Sequence, residues 1–410
     1  MTEYLTEQEL EGVRKIREVM GGSIPQDLDT EFNLRRWWNG HHQDLTVIKE
    51  KFSSYLHNRR LMGFERPDFA DTFYQREEFM EIVQYFGMSR ISEDCVSSDN
   101  AVVFVESGEF DHKVVYVSTI SKYLRVFFAC CELVLQTILR IEKKTGRPSY
   151  GLCIFDMGRL SLANHINPMS SCNQVWEWEK SPLELQIMVF KVRALIWEDN
   201  YPDMIQKIVV VNPPYFIGII WKVVKFLLKE KQQKLLYFNK GTSLFDFVDR
   251  DVVPVAYGGN RKDPLWSNND DCCNDKKLIT EDDYYQHGLI WNLIDIQEPD
   301  FVHISVKAHK RCLIRCTPQN TQKGRFVAWR FSLSDQAEFT VYRGKEQVYP
   351  RMRLVTTEVD DEDLIHCSED DDSEYFLEFT NNNRFLALSI KIALFTGSPL
   401  ITDTDLPPAS

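Results

Sequence analysis

Asp156 closes the apolar run Gly151–Phe155, where a carboxylate could act as an acid or base, and His165 follows nine residues on. Proton transfer needs a partner within hydrogen-bond reach, and the polar surroundings of His165 read as loop. There is no G-x-S-x-G elbow, no G-x-x-x-x-G-K-[ST] loop and no G-x-G-x-x-G turn. Asp156 therefore reads as a structural hydrogen-bond acceptor; no catalytic residue and no enzyme activity are expected. Cys312 and Cys316 lie four apart on an expected strand, so both could face one side, yet no second pair accompanies them among the ten cysteines. Neither a metal site nor a cofactor is expected. The remaining chemistry is cationic: Lys222, Lys225 and Lys229 at helical spacing fall within an arc of roughly 60°, a stripe suited to an anionic surface.

The elements that must carry these groups change character along the chain. Residues 1 to about 90 read as helices: Thr6 opens the first, Leu34, Trp37 and Trp38 sit at helical spacing, and Leu45, Ile48, Phe52 and Leu56 continue the pattern. From about 100, apolar runs alternate with helices. Ala101–Val105, Val114–Val117, Gly151–Phe155, Lys207–Val211 and Lys234–Phe238 read as strands, and Tyr123–Lys143, Leu183–Glu198 and Tyr215–Lys229 as helices. That alternation predicts an α/β layer with a largely buried sheet. After Gly258-Gly259 a polar stretch marks a boundary. Beyond about 285 the signals are short strands without a convincing helix, which predicts an all-β sandwich. The acidic runs Asp360–Asp363 and Glu369–Asp372 read as solvated loops, and Lys307, His309, Lys310, Arg311 and Arg315 as a basic strand edge.

With 410 residues the chain has ample length for two or three domains, and a formal charge of -13 argues against nucleic acid as a partner. Val126–Leu139 is short for a membrane span and carries Glu132; Ile208–Leu228 holds Pro213-Pro214, Lys222 and Lys225. Neither is expected to cross a bilayer. With a polar N-terminus and thiols expected to be reduced, the reading is cytoplasmic, peripheral on membranes.

The helix Tyr215–Lys229 is the most informative segment. Pro213-Pro214 suits a helix start. Apart from Gly218 and the three lysines, positions from Phe216 to Leu228 are apolar and cover an arc of roughly 220°, about twice what a surface helix needs. Such a helix meets apolar material on two sides. It is either a buried core helix or a lid with one side to an internal cavity, one to a membrane, and its lysines at the headgroups.

Asp199-Asn200-Tyr201-Pro202-Asp203-Met204 with Asn212-Pro213-Pro214, the strand Ile154-Phe155-Asp156, the closing Val253–Gly259 and the helix Phe32–Trp37 resemble segments of CRAL-TRIO lipid-binding domains. Val327–Phe331 and Tyr375–Asn381 resemble strands of a GOLD domain, in the combination seen in supernatant protein factor-like (tocopherol-associated) proteins. The resemblance implies a helical extension over 1–75, a CRAL-TRIO domain over 76–262 with a mixed sheet flooring an apolar cavity, a linker over 263–284, and a GOLD-like β-sandwich over 285–400. It implies a phospholipid or neutral, tocopherol-like ligand exchanged with a transiently contacted membrane. Tyr215, Phe216, Ile219, Ile220, Val223, Val224 and Leu227 are the expected pocket and gate residues, with Phe155 and Ser161, and Lys222, Lys225 and Lys229 the membrane-facing stripe. The alternative is a lipid-licensed adaptor whose GOLD domain binds a protein. Ala256 stands where members that bind phosphatidylinositol carry lysine, Gly40-His41 replaces a basic pair, and Ala163 a second hydroxyl. The first two departures put inositol phospholipid recognition in doubt; the third falls in the run that holds a choline-lipid phosphate in some members.

Overall fold

Helix α1, Glu7–Met20, begins at a capping box in which the Glu9 N–H donates to the Thr6 hydroxyl and the Thr6 N–H to the Glu9 carboxylate. Helices α2, Glu31–Gly40, and α3, Leu45–Leu61, are capped by Thr30 and Asp44, and short helices α4, Phe69–Thr72, and α5, Glu77–Val83, follow. The computed structural model describes residues 4–107, 112–158, 182–215, 217, 218, 221, 222, 225, 230–238, 243–262, 277, 279–357, 359–397 and 399–405. Trp37 stacks on Phe52 at 4.3 Å, which holds α2 against α3. Contact between α1 and α2 requires a glycine: a β-carbon on Gly12 would lie 2.3 Å from the Trp38 ring. Gly12→Ala gains about 1 kcal/mol of helix propensity, and overpacking costs about 1–3 kcal/mol. A net fall in melting temperature is therefore expected, and a rise would show that Trp38 swings aside.

Strands β1, Ala101–Ser107, β2, Tyr150–Asp156, β3, Ile205–Val211, and β4, Leu236–Phe238, form a parallel sheet in that order. Antiparallel bridges Met88–Glu106 and Val96–Val102 at the β1 edge make it mixed. Helix α6, Ile120–Thr145, connects β1 to β2, and α7, Pro182–Asn200, lies between β2 and β3. Thr119 caps α6 and Gly146, in the left-handed region, ends it. The expected strand Val114–Val117 is instead a 3₁₀ turn over His112–Tyr116, whose coiled backbone does not present a strand's row of donors and acceptors; the Tyr116 carbonyl accepts from the Tyr285 N–H.

The C-terminal third is a sandwich of antiparallel sheets. Strands β5, Val302–Val306, β7, Gln319–Thr321, β8, Gly324–Leu333, β12, Asp361–Cys367, and β14, Leu388–Phe395, form one sheet. Strands β6, Lys310–Cys316, β9, Ala337–Arg343, β10, Glu346–Gln347, β11, Met352–Leu354, β13, Tyr375–Asn381, and β15, Leu400–Asp405, form the other. Phe331 of the first sheet meets Phe339 and Phe379 of the second at 4.9 and 5.0 Å. A helix that the sequence did not announce, Leu289–Leu293, precedes the strands; at five residues it is too short to show a helical period.

Two surface expectations are overturned. The basic segment is not an edge: β6 is paired with β13 on one side and β15 on the other, and Arg311 and Arg315 pair with Glu378 and Glu374. The first acidic run is not a solvated loop either. Asp361 and Glu362 are buried on β12, and each acid has a partner: Asp360 Arg330, Asp361 the Ser121 N–H, Glu362 Tyr285, and Asp363 Arg125 and Tyr349. Ser121 and Arg125 belong to the first turns of α6, so β12 clamps that helix at its N-terminal end. From α3, Asn58 donates to the Arg351 carbonyl at 2.9 Å and joins the same two layers.

Candidate functional site

Parallel pairing puts Phe104 beside Cys153 and Glu106 beside Phe155, so these four side chains share one face of the sheet. Helix α6 covers that face: a β-carbon on Gly151, two residues from Cys153, would lie 3.5 Å from Val134 Cγ1. Tyr123, Phe127, Cys130 and Val134 recur every three or four residues along α6 and point the same way. Arg193 and Trp197, one turn apart on α7, approach from the side. Between them and β1 lies a pocket of about 50 Å³, lined also by Tyr85, Phe86, Met88 and Ile91. By liquid volume that is room for one or two waters, or the end of an alkyl chain.

One polar feature interrupts this apolar wall. Arg193 pairs with Glu106, and its guanidinium lies 4.2 Å from the Phe127 ring centre. Burial opposes the Arg193 charge, but Glu106 and Tyr123 alongside hold its pKa above the ordinary arginine value. Burial pushes the Cys130 thiol up to about 12, so it stays protonated and behaves as a small hydrophobe.

Around this wall the motif residues build a frame. Asp156, at the end of β2, accepts from the Gly158 N–H at 2.9 Å, Asn212 Nδ2 at 3.0 Å and the Tyr257 hydroxyl at 2.9 Å. One carboxylate thus gathers the ends of β2 and β3 and the closing Val253–Gly259 segment. That segment needs both glycines: Gly258 has φ 81°, and a β-carbon on Gly259 would lie 1.9 Å from the Val253 carbonyl oxygen. Tyr201 is buried and donates to the Phe128 carbonyl and to Glu132, both at 3.2 Å. Glu132 is itself wholly buried and also receives Tyr55, Arg59 and Gln136.

Phe155 shares the cavity-side face, half-buried. Tyr215 lies at the surface, 90% exposed. Ile217, Gly218, Trp221, Lys222 and Lys225 are helical; Lys222 and Lys225 are exposed, and Trp221 meets Phe238 of β4 edge-on at 5.3 Å. Phe216, Ile219, Ile220, Val223, Val224, Leu227, Lys229 and Ser161 lie outside the described residues. The sequence reading missed the α6 and α7 wall, although an arginine inside an apolar helix at Arg193 was a visible signal. Among the described residues no cluster of His, Cys, Asp or Glu is placed to hold a metal, and no helix is long and apolar enough to cross a membrane.

Residues 167–259 match the family model described as the CRAL/TRIO domain. The chain carries a CRAL/TRIO domain. A CRAL-TRIO domain-containing protein of Caenorhabditis elegans is 27% identical over 405 residues, 95% of this chain and 96% of its own length. Patellin-3 of Arabidopsis thaliana is 25% identical over 198 residues, 44% of this chain and 37% of its own. A phosphatidylinositol/phosphatidylcholine transfer protein of the same plant is 23% identical over 271 residues, 62% of this chain and 39% of its own. The CRAL/TRIO match holds Tyr201, Asn212 and Tyr257, while their partners Glu132 and Asp156 lie upstream of it. These motif residues of the CRAL/TRIO domain thus act as joints between its elements.

Proposed function

We propose that this chain binds one lipid or other hydrophobic molecule inside its CRAL/TRIO domain and exchanges it with membranes. The reading is supported above all by the apolar cavity between β1, α6 and α7, whose wall Tyr123, Phe127, Cys130 and Val134 would receive the end of an alkyl chain. The segment Tyr215–Lys229 is the proposed gate, with Tyr215, Phe216, Ile219, Ile220, Val223, Val224 and Leu227 as gate and pocket residues together with Phe155 and Ser161, and Lys222, Lys225 and Lys229 as the membrane-facing stripe. A methylene contributes about 0.8 kcal/mol wherever it is buried. Bilayer and pocket therefore nearly balance, and exchange calls for a movable lid rather than a tight grip. The named activity of the plant transfer protein favours a phospholipid; Ala256 in place of a lysine keeps a neutral, tocopherol-like ligand in play. The sandwich is taken as GOLD-like, with the domain division 1–75, 76–262, 263–284 and 285–400.

Organic extracts of the natively purified chain, examined by mass spectrometry, test this reading. One lipid class at near-stoichiometric amount is expected. Cys130→Leu, whose extra bulk is about that of the cavity, should cut that loading about tenfold or more while overpacking costs only about 1–3 kcal/mol of stability. An extract as clean as that of an unrelated control overturns the carrier reading in favour of the adaptor.

A further inference from the structure

The sandwich ends in an apolar tip. Phe385 and Leu386, in the turn between β13 and β14, are 88% and 64% exposed, side by side and at a turn where chains ordinarily place polar residues. The turn is built to hold them there. Asn383 Oδ1 accepts from the Phe385 and Leu386 N–H groups at 3.0 and 3.1 Å, and its own N–H donates to Asn381 Oδ1 at 3.0 Å. Asn381, buried, donates to the Leu386 carbonyl and to the carbonyls of Val306 and Lys307. One side chain thus fixes the β13–β14 turn beside the β5–β6 turn.

The rim of that tip is basic, in a chain whose formal charge is -13. Arg384 is exposed next to Phe385, and Lys307 and His309 are exposed on the neighbouring turn. Of the acids at this end, Glu338 accepts from Arg353 and Asn382 and Asp335 from Asn383, while β15 sets Asp405 opposite Lys310. Two exposed apolar side chains ringed by cations match an anionic lipid surface, in which apolar groups enter the acyl boundary and cations stay at the headgroups.

We propose that the Phe385–Leu386 tip, with Lys307, His309 and Arg384, docks the sandwich on anionic bilayers. This site is separate from the gate and stands whether or not the cavity carries lipid. The test is flotation of the full chain with vesicles of phosphatidylcholine alone or with added phosphatidylserine, at two salt concentrations. The parent should partition onto the anionic vesicles, and less so at high salt. Phe385→Ser with Leu386→Ser should reduce that partition about tenfold or more, with melting temperature and extracted lipid unchanged. Lys307→Glu with Arg384→Glu should remove the preference for anionic vesicles. Unchanged partition in the serine variant overturns the proposal, as does a parent that floats with neither vesicle, which leaves the tip to a protein partner. The lipid extract of each preparation separately reports whether the carrier reading holds.

Discussion

Glu132→Ala should melt roughly 10 °C below the parent. Glu132 is 0% exposed and receives Tyr55 at 2.8 Å, Arg59 at 2.9 Å, Gln136 at 2.9 Å and Tyr201 at 3.2 Å, so it joins α3, α6 and the end of α7. Burial opposes the Arg59 charge, but Glu132, Tyr55 and Asp27 around it hold its pKa above the ordinary arginine value. Removing Glu132 leaves that cation buried beside the half-exposed Asp27, and breaking a buried pair from one side costs about 3–5 kcal/mol. Glu132→Gln keeps the acceptor for the tyrosines and should lose clearly less. Equal melting of alanine and glutamine variants would mean that the carboxylate's charge, rather than its acceptor geometry or packing volume, carries the joint.

Asp361→Asn should change stability with pH. Asp361 is buried where β12 meets α6; it faces Ser121 and Arg125 from the helix, Asp363 on its own strand and Tyr349 from the loop after β10. Burial and the nearby Asp363 push its carboxyl up to about 7, although the Ser121 hydrogen bonds and Arg125 pull the other way. An unfolded aspartate titrates near about 3.9, so the folded state holds the proton over the pH range between. The stability this group supplies is full below about pH 4 and lost as pH rises through about 7, on the order of a few kcal/mol in all. The asparagine variant should therefore match the parent near pH 4, pull ahead as pH rises, and melt several degrees above it near pH 8. A gap that stays constant across that range would sink the assignment.

Local signals made much of the architecture legible. The Thr6 capping box, the helical spacing of Trp37, Phe52 and Leu56, and the apolar runs of β1, β2 and β3 each need only a few neighbouring residues to declare themselves. What the sequence hid depends on distant partners. Asp361 to Asp363 looks like a solvated run until Ser121 and Arg125, some 240 residues earlier, are brought beside it. Lys310–Cys316 looks like an edge until β15, from the end of the described chain, pairs with it. The run at Val114 looks like a strand because four apolar residues do not distinguish a strand from a tight turn. The site was half legible: Phe155 and Asp156 were visible from their strand, whereas the wall of Tyr123, Phe127, Cys130 and Val134 was submerged in a helix that is buried nearly all round, so its apolar positions did not single out one face.

Helix α6 is also held at three heights. Its first turns meet Asp361 and Asp363, its middle is bonded through Glu132, and near its end Glu142 pairs with Arg36 and accepts from the Ser149 N–H. A rod of 26 residues, about 39 Å long, anchored at both ends and the centre has little freedom to slide, tilt or turn about its axis. It is the fixed jaw of the cavity: any change in the space it encloses has to come from movement of the opposite walls.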